Sequence, residues 1–408
     1  MQFSMDKGDA EMADFDFSFE PMPARERLEQ WWCDLEPRSN AGFFLSWTWI
    51  GNWLEHLPAH LRPWLLMARQ GGEVVGLALL VPQRRTLGKF PICQSWYLHS
   101  EGSTEFNAAT VEHNDFLVDR RYGDRLRTAM LEHWARSVGQ SSELRLVGLT
   151  AEGWPETITA GLRRVIDQRP SFSIDLNLVR AKAGDFTSVV SGHARRFIRR
   201  SLKEYATLGP VVVEEAQDAP QALRFFERMV ALHQARWTAL GETGSFKTAY
   251  RLSVHRGLIE RGVPRGEVQL LRVAAGQSDI GYLYSFVRGD HLYVFQSGFD
   301  YGLLEKHGRP GLVTHTLGVQ HNAAKGFRLY DLMAGESQYK QTIATHTETM
   351  TWLVLRKPSL RFAAESAALT VLKRWRAWRD QRNATGASDS KGAPTAEQDD
   401  LAHPVQGA

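Results

Sequence analysis

The sequence predicts a mixed α/β (α+β) fold built from two copies of one unit, each a mainly antiparallel, twisted sheet flanked by helices. Three observations carry this. Apolar residues recur with period 2 in short runs and with period 3.6 in longer ones. The two kinds of run follow the same order in both halves of the 408 residues. The segments LLMARQGGEVVGLALLV and LLRVAAGQSDIGYLYSFV also align, with Gly76 falling on Gly281.

In the first half, Phe15, Phe17 and Phe19 alternate as a strand, and ARERLEQWWCDLEP reads as a helix ended by Pro37. SWTWIGNWLEHL reads as a second helix with Ser46 as its N-cap and Pro58 as its stop. Two strands around Trp64–Arg69 and Glu73–Pro82 flank Gln70-Gly71-Gly72, a hairpin turn. HNDFLVD then reads as a strand, RLRTAMLEHWARSVG as a helix closed by Gly139, and ELRLVGL as a strand. The second half repeats the order: VVVEE, a helix over PQALRFFERMVALHQARWTAL, a helix over KTAYRLSVHRGLIERG, a hairpin, HLYVFQSGF, a helix ending at Gly326, and FRLYDLM. Each copy is expected to bury its own sheet under its own helices, side by side with the other.

Between the halves, HARRFIRRSLKEYATLGP is a basic amphipathic helix, with Ala194, Ile198, Leu202 and Tyr205 on one face and Arg195, Arg196, Arg199, Arg200 and Lys203 around the other. A second basic amphipathic helix is expected over 359–381, where Leu360, Val371, Trp375 and Trp378 form a stripe; it offers a contact to the protein's own body, to another protein or to an anionic membrane surface. Residues 1–12 and 382–408 are expected to be disordered, leaving units at 13–180 and 181–358.

Charge and composition narrow the function classes. Forty-nine Lys and Arg against 46 Asp and Glu give a net +3, too balanced to make nucleic acid or membrane the default partner. Two cysteines, Cys33 and Cys93, exclude a disulfide framework and a Cys-based zinc site. His315 and His321 lie on different faces of one helix, so no metal is expected there. No apolar run approaches the ~20 residues that span a bilayer, and the acidic opening residues do not read as a secretory leader, so the expected compartment is the cytoplasm.

The segment LEKHGRPGLVTH places a glycine-containing turn at the start of a helix, where unpaired backbone N–H groups and the positive helix end face an anion. Lys306, His307 and Arg309 add charge beside Gly308 and Gly311, and Pro310 sets φ in the first turn, an arrangement suited to a pyrophosphate. His233 and Trp237, four residues apart on one helix face with Arg236 adjacent, read either as a substrate wall with His233 as a base or as packed core.

The order strand, two helices, three strands, helix, strand, helix, with the phosphate turn opening the third helix, resembles the GNAT acyltransferase fold. Over about 193–345 the chain resembles the CelD-like branch of that superfamily, related to the Fem peptidyltransferases, through ARRFIRRSLKEYATLG, ALHQARW, LYVFQSGFD, RPGLVTHTLGVQHNAAKGFRLYDLM and GESQYKQTIA. The first half resembles the same unit through FLSWTWIGNWLEHL, its hairpin and HNDFLVD; its Tyr122-Gly123 turn lacks the RPG pattern, so it reads as a degenerate GNAT-like domain that shapes the cleft. The usual Q/R-x-x-G-x-G/A turn is replaced here by Lys306-His307-Gly308-Arg309-Pro310-Gly311.

The resemblance implies transfer of an acetyl or longer acyl group from acyl-CoA, as co-substrate, to an amine, with an amino sugar of envelope polysaccharide metabolism as one acceptor. Gln296, Ser297 and Gly298 then lie where a backbone N–H stabilises the thioester oxygen, and Lys306, His307, Gly308, Arg309 and Gly311 hold the pyrophosphate. Tyr339 is the general-acid candidate, Asp331 or Glu336 the acceptor of the amine proton, and Lys340 an anion- or oxyanion-binding group. His233, Arg236 and Trp237 line the acceptor side. A Fem-like transfer from aminoacyl-tRNA, using the Arg-rich helix, is the alternative enzymatic reading. A non-catalytic partner of a polysaccharide synthase is the alternative outside catalysis.

Overall fold

The structure, a computed structural model, describes residues 15–87, 89–102, 111–150, 162–304, 306–357 and 359–365, with 367, 370, 371, 374, 375 and 379 beyond. The stretches expected to be disordered, 1–12 and 382–408, lie outside the described residues, as does much of 366–381.

The first half runs β1 (Asp16–Pro21), α1 (Arg25–Leu35), α2 (Trp47–His56), β2 (Trp64–Gln70), β3 (Glu73–Leu87), β4 (Phe90–Leu98), β5 (Leu117–Val118), α3 (Gly123–Ser137), β6 (Ser142–Thr150) and β7 (Leu162–Asp175). Ser46 caps α2 as expected, its Oγ accepting from Trp49 N at 3.3 Å. The second half runs α4 (Leu176–Arg180), α5 (Gly192–Ala206), β8 (Val211–Glu215), α6 (Ala219–Ala239), α7 (Ala249–Gly262), β9 (Val268–Ala275), β10 (Ser278–Arg288), β11 (His291–Phe299), α8 (Pro310–Ala324), β12 (Leu329–Ala334), α9 (Gln338–Ile343) and β13 (His346–Arg356).

The aligned glycines serve the same packing need in both halves. A Cβ on Gly76 would stand 2.6 Å from Met130 Sδ of α3, and one on Gly281 would stand 2.8 Å from Thr314 Oγ1 of α8, so each lets a helix lie close on the hairpin.

Two expectations need correction. HNDFLVD is not a full strand: Leu117–Val118 pair with Gly76 and Leu77 of β3 and Asp119 makes an isolated bridge to Ser39, while the third meander strand is β4, upstream. The polar residues of this stretch turn inward: Asn114 Oδ1 lies 3.0 Å from His99 Nδ1 and Arg127 Nε donates to Asp115 at 2.7 Å. Nor do the copies keep separate sheets. One sheet crosses the molecule in the order β1-β2-β3-β4-β6-β13-β7-β12-β11-β10-β9-β8. Strand β7, from the first half, lies against β12 of the second, and β13, from the second, lies between β6 and β7.

On one face α1, α2, α6 and α7 share a core in which Phe43 and Phe286 stack at 4.3 Å and Asn52 Nδ2 of α2 donates to Val254 O of α7 at 3.0 Å. The opposite face is covered by α3 over the first half and by α5, α8 and α9 over the second. The residues after β4 join this seam. Glu101 is fully buried, its Oε1 accepts from Tyr250 Oη of α7 at 2.9 Å, and Oε2 has no partner. Burial pushes its carboxyl from 4.5 up to about 7. A carboxyl raised by folding stabilises the native state fully below pH 4.5, and that contribution is lost as pH rises through about 7. Glu101→Gln is therefore expected to be more stable than wild type at pH 8, by about 3 kcal/mol at 1.36 kcal/mol per pKa unit, with the advantage gone at pH 4.5. Urea unfolding of both proteins at the two pH values checks this, and equal stability at pH 8 would refute it.

The first turn of the expected terminal helix docks on the body: Phe362 lies under the Arg356 guanidinium at 4.7 Å, and Glu365 meets Arg85 and Arg356.

Candidate functional site

Strands β11 and β12 are parallel and pair only at His291–Leu329, Leu292–Tyr330 and Tyr293–Asp331; beyond these they part. The first half repeats the geometry, β4 and β6 pairing from Gln94–Ser142 to Tyr97–Arg145. Past the divergence Met333 takes φ 65° and Gly335 φ 104°, turning the chain into α9, where Ser337 Oγ accepts from Lys340 N at 3.4 Å. The left-handed turn sends Lys340 back over the strand end, its Nζ donating to Met333 O at 3.2 Å and Ala334 O at 2.8 Å. Burial pushes this ammonium down to about 8, against the pull of Glu112 and Asp331.

Asp331 is buried, and its carboxylate is fully engaged. Oδ1 accepts from Met333 N at 2.7 Å, and Oδ2 lies 2.9 Å from His113 Nε2 and 3.1 Å from His291 Nε2. Burial alone would raise its pKa; the two imidazoles overcome this and hold it far below the usual carboxylate range. A carboxylate held this way ties the end of β12 to the two imidazoles and takes up a proton only at low pH. Glu112, also buried, accepts from Ala334 N at 2.8 Å, so the connection before β5 delivers two first-half residues, Glu112 and His113, to the end of a second-half strand. These two were missed because they sit in irregular chain with no periodicity. His291 had a signal, a polar residue on the face of HLYVF that also carries Tyr293 and Phe295.

Tyr339 stacks on His315 at 5.0 Å, and burial lifts its phenol well above the ordinary value. A phenol so raised holds its proton more tightly than the Lys340 ammonium does. Glu336 is exposed beside the turn. Of the β11 trio, Gln296 Nε2 donates to Ser245 Oγ at 3.2 Å, and Gly298 admits α6, since a Cβ there would stand 2.2 Å from Met229 O. His233 is a structural tie and not a free base: Nδ1 lies 3.1 Å from Ser297 O, Ser245 N donates to Nε2 at 3.2 Å, and burial lowers its pKa to about 4. Its neighbour Trp237 lies 5.9 Å from it, and Arg236 stacks on Tyr301 at 4.4 Å.

The turn opening α8 is held against α5. Ser201 Oγ donates to His307 O at 2.7 Å, Arg200 meets His307, and the Arg309 guanidinium lies 3.9 Å from the Phe197 ring centroid. His307 (φ 61°) and Arg309 (φ 39°) are left-handed, and Lys306, His307 and Arg309 are exposed. Tyr205 is fully buried with an unpartnered hydroxyl, 3.1 Å from where a Gly308 Cβ would stand. An orphaned donor beside a positive helix end, with Arg196, Arg199, Arg200 and Lys203 on the adjoining face, fits a phosphate group. A separate cavity of about 200 Å³, lined by Glu215, Gln269 and Lys325 among others, lies at the other end of these strands. There His321 Nε2 lies 2.7 Å from Glu215 Oε2; His315, stacked on Tyr339 away from that cavity, is buried with its Nδ1 3.1 Å from Tyr330 Oη.

A mixed sheet flanked by helices, parting between two parallel strands beside a helix-opening turn, defines a GNAT-like fold. Residues 192–341 match the family described as acetyltransferase (GNAT) domain. The crystal structure of FemX is similar at TM-score 0.52 and 11% identity, covering 81% of this chain and 96% of FemX. So is the C-terminal domain of a protein named as a lysylphosphatidylglycerol synthetase from Agrobacterium fabrum, at TM-score 0.50 and 11% identity, covering 85% and 96%. A tandem GNAT protein of the clavulanic acid pathway covers 84% of this chain and 100% of its own at TM-score 0.42 and 12% identity. No curated protein matches the sequence. The chain is acyltransferase-like in fold, and among the described residues no helix is long and apolar enough to cross a membrane.

Proposed function

We propose that the protein is a cytoplasmic N-acyltransferase that moves an acetyl or longer acyl group from acyl-CoA to an amine, with a CelD-like role on an amino sugar of envelope polysaccharide metabolism. The observation that supports the reading is Lys340 Nζ, half-buried over the end of β12, just past the last pair that β11 makes with that strand. Acyl-CoA would supply the acyl group as a thioester, its pyrophosphate held by the 306–311 turn. The chain's residues then divide the work. Lys340 presents a proton at Nζ to the charge that develops in transfer, and near pH 8 it can release that proton to a departing sulfur. Glu112, held by the Ala334 N–H, stands beside it as acceptor of the amine proton. Arg236 and Trp237 wall the acceptor side.

Thermal unfolding with acetyl-CoA, octanoyl-CoA and free CoA tests the donor. A ligand at 100 times its Kd adds ~2.7 kcal/mol, which raises the midpoint by roughly 5–10 °C. The shift is expected in wild type and absent in Gly311→Glu, where the new side chain crowds Phe299, 3.1 Å from a Cβ, and sets a carboxylate in the turn. No shift with any CoA species overturns the reading.

The Fem-like reading, with aminoacyl-tRNA as donor, is favoured by one observation: the basic face of α5 is continuous with the turn through the Arg200–His307 and Arg309–Phe197 contacts. It predicts tRNA binding whose affinity falls steeply with salt.

A further inference from the structure

Acyl transfer leaves part of the junction cluster unused. His113 Nε2 and His291 Nε2 converge on the same Asp331 oxygen at 2.9 and 3.1 Å. A Glu348 carboxylate oxygen, from β13, lies within 4.8 Å of a ring nitrogen of His113 and an oxygen of Asp331. The four residues come from the first-half connection and from β11, β12 and β13, so the topology assembles them from both halves.

Three features distinguish this group from an ordinary histidine–carboxylate pair. His113 Nε2 is shut off from solvent and makes no hydrogen bond although it touches Oδ2, so the contact has the distance of an interaction and not the direction of an N–H···O bond. Donors bound about 2.0–2.2 Å from one tetrahedral ion stand roughly 3.4 Å apart, and His113 Nε2 and Asp331 Oδ2, at 2.9 Å, are already near that separation. Finally, Glu112 and Asp331 set two carboxylates near the Lys340 ammonium, whose Nζ is turned away to the Met333 and Ala334 carbonyls, while Glu348 faces His113.

We propose that His113, Asp331 and Glu348 form a binding site for a divalent transition-metal cation such as Zn²⁺, through one imidazole nitrogen and two carboxylate oxygens, with His291 held on the same Asp331 oxygen beside it. The ion would clamp the first-half connection to β12 and β13. The inference does not depend on the acyl-transfer reading, since it concerns residues that reading leaves idle or uses only as an anchor.

The test uses the full chain, stripped with a chelator and titrated with Zn²⁺ alone against a chromophoric competitor, with thermal unfolding in parallel. One Zn²⁺ per chain with Kd below about 1 μM and an upward shift of several degrees in midpoint are expected. His113→Gln and Glu348→Gln should each weaken binding at least tenfold, while Cys33→Ser binds as wild type. Metal-free unfolding midpoints of the variants within a few degrees of metal-free wild type separate loss of a ligand from loss of fold; should His113→Gln fail that control, the exposed-strand variant Glu348→Gln decides. Less than half an equivalent bound, or unchanged affinity in the folded variants, overturns the proposal.

Discussion

Lys340→Met is expected to lower kcat for acyl transfer by about 10²–10³-fold, the range for removing one preorganised charge-stabilising donor, while the KM for the acyl donor moves only a few-fold. The reason is positional. Lys340 Nζ is fixed by the Met333 and Ala334 carbonyls at the point where β11 leaves β12, whereas the groups expected to bind the donor sit on the turn before α8. Methionine keeps the length and loses the charge, so the KM-against-kcat split reports chemistry and not packing. Thiol release at saturating donor, alongside a melting curve, is the measurement. A loss under tenfold in a folded variant would take Lys340 out of the mechanism.

The largest effect on stability is expected at Glu143, in β6. It is fully buried and accepts from Ser95 Oγ at 2.7 Å, Arg145 Nε at 2.8 Å and Arg356 Nε at 2.8 Å, with Arg85 Nε at 3.1 Å. Burial would raise its carboxyl, and the Arg145 and Arg85 guanidiniums with the Ser95 hydroxyl overcome that and lower it. Its stabilisation is accordingly present above pH 4.5 and lost as pH falls through the depressed native value. Glu143→Ala leaves three guanidiniums facing one another with Glu365 alone to balance them. Removing one partner of a buried ionic group costs about 3–5 kcal/mol, so the midpoint should fall by roughly 10 °C at pH 7. A change below 1 kcal/mol would show that the arginines reach water without it.

What was legible in the sequence follows from where each signal is made. Helix α2 announces itself because Ser46, its apolar spacing and Pro58 all act locally. Gly76 and Gly281 announce the repeat because each must admit a helix. The central strands did not announce themselves. β7 carries Arg163, Arg164, Asp167, Arg169 and Pro170 before its buried end, and β13 opens with His346-Thr347-Glu348-Thr349, all exposed. Both pair with strands remote in sequence, so no tight turn marks them, and only one end of each is apolar. The 306–311 turn is legible from its own glycines, Pro310 and charged residues, whereas Lys340 and Asp331 come through resemblance to a family pattern. Glu112, His113 and Glu348 carry no such pattern, because their positions are set by the crossing of the halves.

That crossing has a consequence for how the molecule comes into being. A chain cut after residue 180 would leave one fragment holding β7 and lacking β13, and the other holding β13 and lacking β7, each with open edges at its middle. The arrangement is that of two interlocked protomers written into one polypeptide. The central pairings can close only after β13 near the far end of the chain has been made, so during synthesis the nascent first half waits, incomplete, for its last two neighbours.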